Sequence, residues 1–80
     1  MNVIVNMYAA LKDYFPDSIE LSVEAGSKIS DIQTALIARN PESRSLLDQC
    51  RFAANHEFMS RDAIITDGNV VDILPPSSGG

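Results

Sequence analysis

The chain reads as a small α+β domain in which a mixed sheet is crossed by one main helix. Two segments, Val3–Tyr8 and Val70–Leu74, are rich in β-branched residues and apolar on both faces, as central strands of a sheet are. Asp31–Arg39 repeats apolar residues at spacings of three and four, the signature of an amphipathic helix. The order strand, strand, helix, short strands, strand completes an α+β pattern. The first and last strands are therefore expected side by side at the sheet centre, and parallel, with the C-terminus leaving from a central strand.

Each element has a local reason. After the first strand, Ala9–Phe15 suits a short helical turn stopped by Pro16. Ile19–Val23 alternates apolar and polar residues, so it reads as a half-exposed strand paired with the first in a hairpin. Glu24–Ser27 is a loop. Ser30 and Gln33 have the spacing of a capping box, with Ser30 as N-cap and Gln33 reaching back to its amide. Ile29, Ile32, Ala35 and Leu36 share one helical face, Asp31 lies in the first turn where the helix dipole favours an anion, and Asn40-Pro41 stops the helix. Glu42–Gln49 fits either a short helix or an irregular stretch. Arg51–Ala54 and Glu57–Met59 read as two short strands around an Asn55-His56 turn. Asp62–Ile65 is a connector with two isoleucines to bury, and Asp67-Gly68 is a turn before the last strand.

Composition narrows the function. Eighty residues make one domain, too small for a deep enclosed active site, which favours a carrier or binding module. A net charge of −5 with scattered Lys and Arg offers no basic stripe for nucleic acid and favours a basic partner face. Cys50, the single cysteine, excludes an internal disulfide or a cysteine metal cluster and reads as a small buried hydrophobe. His56, the single histidine, reads as an exposed turn residue. Asp62, Asp67 and Asp72 do not match a calcium loop and read as solvated carboxylates. Phe52, Phe58 and Tyr8 read as core or core-edge residues, while some apolar groups near the last strand are expected to face a partner. Asn2–Met7 lacks the basic start and the length of a signal peptide, and no apolar run is long enough to span a bilayer, so a cytoplasmic location is expected, with no membrane partner.

The ending Leu74-Pro75-Pro76-Ser77-Ser78-Gly79-Gly80 is the most informative segment. Pro75 and Pro76 lack amide hydrogens and favour a stiff, extended exit from the strand. Gly79 and Gly80 have no side chains and suit a channel only as wide as a backbone. The six residues from Pro75 reach about 20 Å when extended. The expected organisation is a domain over 1–74 and a flexible tail over 75–80, with the chemistry at the terminal carboxylate inside another protein.

Together, the element order, the Thr66-Asp67-Gly68 turn and the Pro-Pro-x-x-Gly-Gly end resemble the ubiquitin-like sulfur carriers, most closely the branch of molybdopterin synthase small subunits (the MoaD/ThiS family). Tyr8-Ala9-Ala10-Leu11-Lys12 resembles that branch's aromatic-Ala-x-Leu-Arg segment, and Ala53-Ala54-Asn55 its Ala-Val-Asn hairpin. The resemblance implies a ubiquitin-like β-grasp fold. It also implies that an E1-like enzyme adenylates the Gly80 carboxylate with ATP, that a sulfur donor protein displaces AMP to leave a thiocarboxylate, and that the tail then enters the large subunit of molybdopterin synthase. There the sulfur passes to a cyclic pyranopterin monophosphate to form the molybdopterin dithiolene. On this reading the chain is a non-catalytic sulfur-donor subunit without a resident cofactor. Gly80 is the reacting group, and Pro75, Pro76, Ser77, Ser78 and Gly79 contact the partner. Two alternatives stand beside it: a sulfur carrier for thiazole, tungsten-cofactor or cysteine synthesis, and a ubiquitin-like protein modifier.

Overall fold

The computed structural model describes residues 1–66, 68 and 70–76. Its elements in chain order are β1 (Asn2–Met7), a 3-10 turn (Ala9–Asp13), β2 (Ser18–Ser22), α1 (Ile29–Arg39), a 3-10 turn (Pro41–Ser43), α2 (Arg44–Gln49), β3 (Arg51–Ala54), β4 (Glu57–Met59) and β5 (Val70–Leu74). The strands form one five-stranded sheet in the order β2-β1-β5-β3-β4. β1 runs antiparallel to β2 and parallel to β5, with Ile4 opposite Val70 and Asn6 opposite Asp72. β5 is antiparallel to β3. The two strands with the most apolar sequences thus occupy the interior positions expected of them.

Alternation along each strand decides the two faces. Val3, Val5 and Met7 of β1, Val71 and Ile73 of β5, and Phe52 and Ala54 of β3 point into the core, where Ile29, Ile32 and Leu36 of α1 meet them. Leu47 of α2 and Ile65 of the connector close the ends of this core. Among the described residues, no helix covers the opposite face.

Several expectations need correction. Helix α1 begins two residues earlier than expected, and Ser30 lies inside it. The N-cap is Lys28, whose amide donates to the Asp31 carboxylate at 2.8 Å. The next amides, of Ile29 and Ser30, donate to the carbonyls of Ala63 and Arg61 at 3.0 and 2.9 Å. A distant connector therefore satisfies the first turn, and no serine cap is needed. Gln33 turns away from the helix start, donating to Asp48 at 2.7 Å and accepting from Arg61 at 2.8 Å. Ile65 is buried, but Ile64 is 59% exposed, because the extended connector bridges Lys28 through Ile64 and sends these neighbours to opposite sides. Phe58 is 57% exposed on edge strand β4 instead of packing in the core. Glu42–Gln49 resolves into the 3-10 turn and α2.

Candidate functional site

Strand β5 ends at Leu74, between β1 and β3, so the chain leaves the sheet from an interior position. Pro75 is half-buried and Pro76 exposed. The expected site residues Ser77, Ser78, Gly79 and Gly80 lie outside the described residues, as does Asp67.

The helix-free face of the sheet borders this exit. Cross-strand partners share a face, so Ile4 with Val70, Asn6 with Asp72, and Ala53 with Phe58 all point outward. Ile4, Tyr8, Val70 and Phe58 are large apolar or aromatic side chains left exposed. Spread along β5, from Ile4 opposite Val70 at its start to Tyr8 at Asp72, they give this face a docking character. Arg51 lays its guanidinium over the Phe58 ring, 3.7 Å from the centroid.

A polar cluster sits in the middle of this apolar face. One oxygen of Asp72, Oδ1, accepts from the Asn6 amide and from the Tyr8 hydroxyl, both at 3.0 Å. The carboxylate beside it pushes the Tyr8 pKa above its ordinary value, chiefly through that hydrogen bond. Asp72 is therefore not the freely solvated carboxylate its spacing suggested. The sequence did hold a signal: Asn6 and Asp72 each interrupt an otherwise apolar central strand, and the register places them opposite one another. Only the pairing of residues far apart in sequence makes that signal readable.

The remaining candidates take structural roles. Cys50 is buried, donates its thiol to the Leu46 carbonyl at 3.2 Å, and has its pKa pushed up to about 11 by burial, partly offset by Arg61. A thiol so protonated is a poor nucleophile at neutral pH. His56 is exposed at the β3–β4 turn, as expected. A groove of about 390 Å³ between α1 and α2 is lined by Gln33, Asp48 and Arg61, which already hydrogen-bond one another or nearby carbonyls. Among the described residues, no group of three or more His, Cys, Asp or Glu is placed to hold a metal ion, and no helix is long and apolar enough to cross a membrane.

A five-stranded mixed sheet, a main helix across one face, and parallel first and last strands at the centre define a ubiquitin-like β-grasp protein. SAMP1 from Haloferax volcanii has the same fold, with a TM-score of 0.87 at 19% identity and full coverage of both chains. In a complex of subunits 1 and 2 of molybdopterin-converting factor from Helicobacter pylori, a chain matches with a TM-score of 0.71 at 20% identity, again over the whole of both chains. Within this class the chain belongs to the ThiS family, which matches residues 5–80. It is 36% identical over 58 residues, 69% of each chain, to the molybdopterin synthase sulfur carrier subunit of Chlamydomonas reinhardtii.

Proposed function

We propose that this chain is the sulfur-carrying small subunit of a molybdopterin synthase. The observation that carries the reading is the Pro75-Pro76…Gly79-Gly80 ending on an interior β-grasp strand, in a chain whose curated relative is a molybdopterin synthase sulfur carrier subunit. The complex of converting-factor subunits 1 and 2 supports a large-subunit partner, and the apolar face beside the exit offers a surface to dock it.

In this reading the folded body positions the tail and the Gly80 carboxylate reacts. A free carboxylate is a poor electrophile. An E1-like enzyme joins it to AMP from ATP, releasing pyrophosphate, and a sulfur donor protein then displaces AMP. The resulting thiocarboxylate enters the large subunit, which holds the active site, and gives its sulfur to the cyclic pyranopterin monophosphate. Side chains on the last two residues would have to be desolvated in that channel; glycine avoids this. Ordering a tail costs about 1–2 kcal/mol per residue, and Pro75 and Pro76 lower that cost by being stiff before they bind.

The test combines purified chain, activating enzyme, ATP and a sulfur source, and weighs the product. Wild type gains about 16 Da, one oxygen exchanged for sulfur. Deleting Gly80 abolishes both this gain and sulfur transfer, with the melting temperature unchanged. Gly79→Val acts almost as severely on transfer, whereas Cys50→Ala transfers normally. Sulfur appearing elsewhere on the chain after Gly80 deletion overturns the reading. Ladders of larger conjugates through Gly80 in cells assign a protein modifier, and transfer to a thiazole, tungsten-cofactor or cysteine precursor assigns another sulfur pathway.

A further inference from the structure

The Asp72 cluster opens into a notch of about 320 Å³ on the helix-free face, lined by Asn55, His56, Val70 and Asp72. Both donors that reach the carboxylate use Oδ1. They fix its orientation, and among the described residues Oδ2 has no hydrogen-bond donor. Arg51, a cation on this face, stacks over the Phe58 ring, and no ion pair is formed between it and Asp72. Asp72 is half-buried, where an ion pair is screened less than at an open surface. Val70 supplies an apolar wall for the stem of a long side chain. Asn55 and His56 are residue types able to accept further hydrogen bonds.

We propose that this notch takes the guanidinium of an arginine on the protein that docks against the open face, making Asp72 a specificity-determining contact of the carrier. A planar, multiply donating cation suits a fixed carboxylate in a slot better than a compact ammonium does. The chain's net charge of −5 favours a basic docking surface in the same sense. Asp72 lies two residues before the end of β5, so a contact there also fixes where the tail begins. The partner's identity rests on the function proposed above, which makes it the large subunit of molybdopterin synthase.

The experiment titrates the purified large subunit with wild type and Asp72→Asn in a calorimeter, at about 50 and about 500 mM salt. Asparagine keeps an oxygen for Asn6 and Tyr8 but removes the charge. Amide NMR spectra and thermal melting verify its fold. The expected result is a roughly tenfold weaker association for Asp72→Asn at low salt, with the gap closing at high salt. Equal affinities at both salt concentrations overturn the notch. An equal loss at both assigns a neutral donor and overturns the cationic occupant. Val70→Lys and Val70→Gln form a second pair at an exposed position: lysine, placing a cation in the notch, is expected to weaken low-salt binding several-fold more than glutamine, and identical behaviour overturns the proposal. Wild type that fails to bind the large subunit removes the proposed function and this contact together; wild type that binds while the variants match it removes only the contact.

Discussion

At the scale of single residues, backbone strain and a buried thiol give two expectations. Asn55 and His56 have φ values of 54° and 66°, the pair of left-handed conformations that a two-residue type I′ hairpin turn requires. Asparagine tolerates this conformation well, whereas histidine is held there at a cost of about 1 kcal/mol. His56→Gly relieves that cost but loosens the unfolded chain by roughly 0.4–1 kcal/mol, so stability is expected to rise by no more than about 0.6 kcal/mol. A higher denaturant midpoint with an unchanged slope verifies it. For Cys50, burial lifts the folded pKa from an ordinary value near 9 to about 11. The neutral thiol is the form the fold favours. Its contribution is therefore fully present below pH 9 and is lost as pH rises through about 11. Stability measured across that window is expected to fall, less steeply in Cys50→Ala.

At the scale of elements, Arg61 joins three of them. Its guanidinium donates to the Leu47 and Cys50 carbonyls at 3.0 and 3.1 Å and to Gln33 of α1 at 2.8 Å, and it lies 5.1 Å from the Phe52 ring centroid. Cationic donors at the end of α2 satisfy carbonyls that the helix leaves open. The Arg61 carbonyl meanwhile accepts from Ser30 at the start of α1. Removing the side chain strands several acceptors at once, so Arg61→Ala is expected to cost about 2–4 kcal/mol in chemical denaturation. Arg61→Lys recovers only part of this, because an ammonium cannot span the same acceptors. The exposed ion pair of Lys12 with Asp17, at 4.0 Å, contributes little by comparison.

At the scale of the whole molecule, β5 makes the sheet one unit. The order β2-β1-β5-β3-β4 places it between the N-terminal hairpin and the β3–β4 hairpin. Without it, each hairpin is a two-stranded piece, and such pieces are marginal alone. Core residues Val71 and Ile73 are lost as well. A chain ending at Thr66 is expected to show no cooperative thermal transition by circular dichroism and collapsed amide dispersion by NMR. The same interior placement gives the proposed carrier its logic: a tail that begins on a strand paired on both sides starts from a fixed point beside the docking face.

The sequence by itself determined the α+β class, the central parallel pair β1 and β5, the helix face of Ile32 and Leu36, the Asn55-His56 turn and the family resemblance. These are written in local periodicity, β-branched runs and turn residues, which act over a few neighbours. Tertiary structure decided what depends on distant partners. Lys28 caps α1 because the Arg61–Ala63 connector supplies carbonyls to the first turn. Phe58 and Ile64 stay exposed because the edge strand and the connector turn them away from the helix-covered face. Asn6, Tyr8 and Asp72 form one cluster because two strands from opposite ends of the chain pair in a register that local sequence does not state. Hydrogen bonds and burial across the sheet are set by which strands meet, and that is fixed only when the core closes.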